Sequence, residues 1–139
     1  MKNYSIKEAA KMANISTSTI RYYDKEGLLP FIERSESGYR SFSENDLTML
    51  QIILCLKRTG MPIKEIRQFI EWIQQGDATL KERYDMFLEQ KHIVEAQIAD
   101  LQATLDTINY KCQYYKTALE AGTEKIHLKN RKNRKLPCE

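Results

Sequence analysis

From Leu80 to Leu119 the chain marks a position every four and then every three residues: Leu80, Tyr84, Phe87, Lys91, Val94, Ile98, Leu101, Leu105, Ile108, Cys112, Tyr115 and Leu119. Such spacing is a heptad seam, kept on one side of the chain only by a continuous α-helix. Its apolar chemistry is broken only at Lys91 and at the small Cys112. A helix of this span is about 60 Å long at ~1.5 Å per residue. It cannot hide its own seam. Burying an apolar side chain is worth ~1.5 to 3 kcal/mol before ordering entropy is charged against it, so a partner helix is expected. The alternative is a helix that folds back on its own domain.

The chain ahead of the seam is punctuated by helix starts and stops. Ser5-Ile6-Lys7-Glu8 has the pattern of a capping box and predicts a first helix from near Ile6, yielding at Ala13-Asn14-Ile15, where Asn14 can take the left-handed conformation. Ser16 is a good N-cap for a second helix running to about Glu26, with Gly27 as terminator. Two short helices across a tight turn have helix-turn-helix spacing. The second opens on Thr17, Ser18 and Thr19, small hydroxylated side chains that allow close approach to a phosphate backbone at a helix N-terminus with free amides. Residues 32–34 and 39–42 flank Ser35-Glu36-Ser37-Gly38 and predict a β-hairpin, a wing. Ser43 and Asp46 open a third helix over 44–58, ended by Gly60. Pro62 suits the first turn of a fourth, whose face is Ile63, Ile66, Ile70 and Ile73, widened by Phe69 and Trp72, before Gly76. Thr79 and Glu82 repeat the capping pattern at the start of the seam helix.

Composition limits what such a chain can do. With 139 residues, 42% hydrophobic and 29% charged, it is long enough for one compact domain with one extended appendage. The most apolar stretch, 47–56, is far short of the ~20 residues needed to cross a bilayer, and the N-terminus lacks a secretory pattern, so a cytoplasmic protein with no membrane association is expected. Cys55, Cys112 and Cys138 are too widely spaced for a disulfide framework. The net charge of +3 hides a gradient: residues 1–42 carry 7 basic and 5 acidic groups, 43–122 carry 9 and 12, and 123–139 carry 6 and 2. Basic ends around an acidic middle suit contact with a polyanion. No phosphate-cradling glycine loop, metal-ligand cluster or nucleophile with a plausible base is evident, so neither an enzyme nor a cofactor or metal is expected. A DNA-binding coiled-coil architectural or interaction protein without an inducer stays open as the rival class.

"TIRYYDKEGLL", the wing "RSESGYRSF", "LKRTGMPIKEI" and the heptad helix together resemble the MerR family of bacterial transcription regulators, over residues 4 to about 120. Asn14, Asp24, Ser37 and Phe31 depart from its usual glycine, glutamate, asparagine and proline. The resemblance implies a mainly α fold: a winged helix-turn-helix domain with two accessory helices over 1–76, an antiparallel coiled-coil dimerisation helix over 77–121, and a basic tail over 122–139. It further implies a homodimer that distorts double-stranded promoter DNA and thereby reaches RNA polymerase indirectly. Distortion of this kind costs several kcal/mol, recovered through backbone contacts. The implied DNA contacts are Thr17, Ser18, Thr19, Arg21 and Tyr22 on the second helix, Arg34, Tyr39 and Arg40 on the wing, and Lys57 and Arg58 at the end of the third helix. Ile20 and Tyr23 serve as anchors on the core. Tyr22 as a packing residue is the alternative. The implied dimer contacts are Tyr84, Phe87, Val94, Ile98, Leu101, Leu105, Ile108, Tyr115 and Leu119.

Metal sensors of the family carry a cysteine pair about eight residues apart after the long helix, and Cys138 lies far beyond Cys112. Soft-metal coordination needs converging sulfurs, so Cys112 reads as a small seam residue. His92 and His127 have no spaced partners, and the residues after Gly122 are too few to enclose a drug pocket. The likeness narrows to the aldehyde- and electrophile-responsive, NmlR/AdhR-like branch, which carries a single cysteine at the place of Cys55. That makes Cys55 a candidate sensor thiol, with a buried small hydrophobe as the alternative. From Thr123 onward no apolar period remains, and a mobile tail carrying Lys125, Lys129, Arg131, Lys132, Arg134 and Lys135 is expected.

Overall fold

A computed structural model describes residues 2–128. Helix α1, Ile6–Ala13, begins at the expected capping box: Ser5 Oγ accepts the Glu8 amide at 3.1 Å and the Glu8 carboxylate accepts the Ser5 amide at 3.0 Å. It ends at Asn14, whose φ of 57° makes it left-handed, and the Ile15 amide then closes on the Ala10 carbonyl. Helix α2, Thr17–Lys25, starts at Ser16 and closes in the same way, with Gly27 at φ 81° and the Leu28 amide on the Tyr23 carbonyl. Strands β1, Glu33–Arg34, and β2, Arg40–Ser41, pair antiparallel with Arg34 opposite Arg40. The N-terminal segment extends this hairpin, since Tyr4 and Phe42 exchange both backbone hydrogen bonds at 2.8 Å.

Helix α3, Glu44–Arg58, opens on the reciprocal bonds of Ser43 and Asp46, and helix α4 spans Ile63–Gln75. Pro62 sits one residue outside α4 rather than within its first turn, with an extended ψ of 148°. Its carbonyl still accepts the Glu65 and Ile66 amides, and its missing N–H costs nothing there. Ala9, Ile20, Tyr23, Leu28, Leu29, Phe42, Leu50, Ile53, Leu56, Ile66, Phe69 and Ile70 form the buried core of this region. Of the face expected for α4, Ile63 and Ile73 lie at its half-buried margin.

The third expected capping pattern, Thr79 with Glu82, does not form. Residues Gly76–Thr79 make a 3-10 turn, and Thr79 is buried, donating its hydroxyl to the carbonyls of Trp72 and Gly76 and accepting Arg83 Nε at 3.1 Å. Thr79 lies within this 3-10 turn rather than in the extended conformation of an N-cap, and its hydroxyl accepts Arg83 instead of the amide of residue 82. Helix α5 follows as one 42-residue element, Leu80–Ala121. The chain divides into two compact units, the first ending at Phe87 and the second starting at Leu88. In the first, Phe87 meets Phe69 edge to face at 5.2 Å and Met86 lies against the core. In the second, α5 closes through the Thr123 amide on the Ala118 carbonyl.

The residues just past Gly122 correct the expectation of a structureless tail. Glu124–His127 form a 3-10 turn held to α5 by Tyr114, whose hydroxyl donates to Glu124 at 2.7 Å and whose ring stacks on His127 at 3.9 Å. Lys129, Arg131, Lys132, Arg134, Lys135 and Cys138, expected in the tail, lie outside the described residues.

Candidate nucleic-acid interface

The two faces of α2 divide by chemistry. Ile20 is fully buried and Tyr23 nearly so, as expected of anchors, and burial with Tyr22 alongside pushes the Tyr23 phenol up. Tyr22 has its ring 6.0 Å from that of Tyr23 and is 50% exposed. Arg21 and Ser18 are exposed beside it, and Arg21 Nη1 rests on the Thr17 hydroxyl at 3.3 Å. That bond holds the guanidinium along the helix surface. Thr19 is differently engaged: its amide caps on Ser16 Oγ, and the two hydroxyls share a hydrogen bond of 2.8 Å, so its side chain first serves the helix start.

The wing is tied to this helix by charge. Asp24 Oδ2 accepts Arg40 Nε at 2.7 Å and Arg34 Nη2 at 2.8 Å, bringing both expected wing cations to the flank of α2. Tyr39, at the turn end of the hairpin, is 75% exposed, while its backbone is fixed by the Ser35 amide and hydroxyl. Lys57 and Arg58 occupy the exposed last turn of α3 without an ion pair among the described residues, where cations complement the helix dipole. Cys55, the candidate sensor thiol, lies exposed on the same helix rather than buried as its alternative reading had it: α3 buries Leu50, Ile53 and Leu56, and residue 55 falls between those positions.

Sequence reasoning missed the residues that brace these groups. Asp24 was visible only as a departure from glutamate. Its one physical signal was a carboxylate near the carbonyl end of a helix, where the dipole disfavours it, so that a cationic partner is called for. Arg67 was also missed: from α4 it donates Nε to the Glu26 carbonyl at 2.8 Å and Nη2 to the Glu26 carboxylate at 3.3 Å, passing over Gly27, where a Cβ would meet its Nε at 3.5 Å. No periodicity links positions 24 with 40 or 26 with 67. On α5, Tyr84, Phe87, Ile98, Leu101, Leu105, Ile108, Tyr115 and Leu119 are exposed, and Val94 half-buried. Among the described residues no cluster of three or more His, Cys, Asp or Glu could hold a metal, and no helix is long and apolar enough to cross a membrane.

A hairpin clamped by ion pairs to the flank of a solvent-facing second helix defines the winged helix-turn-helix class of DNA-binding proteins. Within that class, residues 4–71 match the profile of the MerR HTH family regulatory proteins, and residues 47–110 the MerR DNA-binding profile. The chain belongs to the MerR family of transcriptional regulators. It is 43% identical to an uncharacterised HTH-type transcriptional regulator of Haemophilus influenzae, over 88% of this chain and 90% of that one. It is 28% identical to the HTH-type transcriptional regulator AdhR of Bacillus subtilis, over 63% of this chain and 62% of that protein. Among solved structures it resembles HiNmlR, a MerR family regulator lacking the sensor domain and bound to promoter DNA, at 42% identity and a TM-score of 0.84, covering 90% of this chain and 99% of that one. These likenesses fall in the NmlR/AdhR-like branch.

Proposed function

We propose that two copies of this chain bind double-stranded promoter DNA as a homodimer and act on transcription by distorting the duplex, so that RNA polymerase is reached through the promoter. The observation that carries the reading is the pairing of an exposed Arg21 and Tyr22 on α2 with wing arginines braced to the same helix. HiNmlR, similar over most of its length, was captured on promoter DNA, which supports it. In this reading Thr17, Ser18, Thr19, Arg21 and Tyr22 enter the major groove, and Tyr39, Arg34, Arg40, Lys57 and Arg58 take phosphates. Residues 1–76 form the reading head, 77–121 pair with the partner, and 122–139 follow as a basic tail. Footprinting on DNA upstream of its own gene, with transcription measured on the same template, tests it. A protected two-fold site with altered transcription is expected; protection without any transcriptional effect would favour the architectural rival.

A thiol switch at Cys55 is the second part of the proposal, favoured by the exposure of that side chain on α3. An α,β-unsaturated aldehyde would add there, the sulfur bonding to the β-carbon while the α-carbon takes a proton from water. The adduct would alter how α3 meets its surroundings in the dimer. Reporter induction by such an aldehyde should be lost in Cys55→Ser while promoter occupancy persists, and an undiminished response would end the idea.

A further inference from the structure

Asp24 stands where two penalties meet. It lies in the last turns of α2, where the carbonyl end of the helix disfavours a carboxylate, and it is placed beside cations proposed to take phosphate, where it opposes the approach of a polyanion. A group so placed is explained by what it holds. One oxygen, Oδ2, accepts from both Arg40 Nε and Arg34 Nη2, and the Asp24 and Arg40 side chains are each only 18% exposed. Arg40 is gripped by its Nε alone, which leaves both terminal nitrogens of its fork without a protein partner among the described residues. Arg34 gives its other terminal nitrogen to the Gly38 carbonyl at 3.5 Å, bracing the wing turn.

The wing needs such a brace. Its strands are two residues each, and a lone two-stranded hairpin is at best marginally stable in water. The Tyr4–Phe42 bridge holds the base of the hairpin, and Asp24 is the charged link between its arms and the flank of α2. We infer that Asp24 is a positioning residue for DNA recognition: by taking one nitrogen from each wing arginine it fixes the wing at a set offset from α2, so that helix and wing engage one duplex as a single body. This rests on the DNA-binding reading above. Preorganisation is its physical content, because a wing already in place loses less freedom when the duplex arrives. Phosphate contacts fix register on the duplex, so a loosened wing harms the specific complex more than a sliding, nonspecific one.

The test compares wild type, Asp24→Asn and Asp24→Glu on the promoter duplex and on an unrelated duplex of equal length, across a salt series. Asparagine keeps the shape and removes the charge. The preference for promoter over unrelated DNA should fall about tenfold in Asp24→Asn, and the log–log salt slope on the promoter should become shallower by about one to two, as phosphate contacts are lost. Asp24→Glu should restore most of both. In the free protein, backbone order parameters over residues 33–41 should drop from about 0.85 toward 0.6 in Asp24→Asn only. Unchanged order with unchanged or improved promoter preference in Asp24→Asn would overturn the inference and leave Asp24 as no more than a local counter-charge. A wild-type chain that binds neither duplex would remove the DNA reading itself, and this inference with it.

Discussion

Glu8 shows how completely a local rule can be read. Ser5 and Glu8 are three residues apart, both partners of each bond lie within one helical turn, and no distant group intervenes, so sequence spacing and geometry agree. The Glu8 carboxyl is held below the usual carboxylate range, first by the Ser5 amide and then by the Ser5 hydroxyl. A depressed folded-state pKa means that this stabilisation is present above the unfolded value and is lost as pH falls through the lower, folded one. The melting temperature of Glu8→Ala should therefore lie below that of wild type at neutral pH, and the gap should close as the solution is taken below the ordinary carboxylate range. A gap that stays constant with pH would show that helix propensity, not the capping carboxylate, sets the difference. Asp24 is the opposite case. Its partners lie 10 and 16 residues away on another element, and nothing in the local pattern points to them.

At the scale of elements, the corner between α4 and α5 shows why the same three-residue spacing can mean different things. Ser5, Ser43 and Thr79 each precede an acidic residue three positions on, yet only the two serines cap. Thr79 follows α4 through Gly76 within one 3-10 turn, so its hydroxyl meets the Trp72 carbonyl in the last turn of α4 and the Gly76 carbonyl beside it. Arg83 completes the corner by donating Nη2 to the Gly76 carbonyl at 2.8 Å. Thr79→Val keeps the volume and removes the hydroxyl, leaving the part-buried Trp72 carbonyl short of that donor while Gly76 keeps Arg83, and should cost about 1 to 3 kcal/mol in urea unfolding. Thr79→Ser should cost less, since it keeps the bonds and loses one methyl group. Equal losses in the two variants would assign the effect to packing. The turn past Gly122 escaped sequence reading for a related reason: one tyrosine holds both Glu124 and His127, a contact that leaves no period.

For the whole molecule the seam of α5 remains the decisive feature, because its apolar positions are legible in sequence while the described residues leave most of them exposed. Leu101 is 69% exposed and Leu105 47%. A charged residue at either position places no charge in a core of the isolated chain, so replacing them should barely disturb its fold. In a dimer both would be buried at the helix–helix contact, where each lost leucine forfeits ~1.5 to 3 kcal/mol and each glutamate brings a desolvation penalty as well. The two situations predict different outcomes for Leu101→Glu combined with Leu105→Glu. If the copies pair along α5, wild type should show a dimer mass by light scattering and a melting temperature that rises with protein concentration. The double variant should show a monomer mass, concentration-independent melting and loss of promoter binding, since one reading head makes half the phosphate contacts and the log–log salt slope shrinks with them. Wild-type mass equal to one chain would instead mean that α5 keeps its seam in water, and the spacing of two reading heads on a duplex would then have nothing to set it.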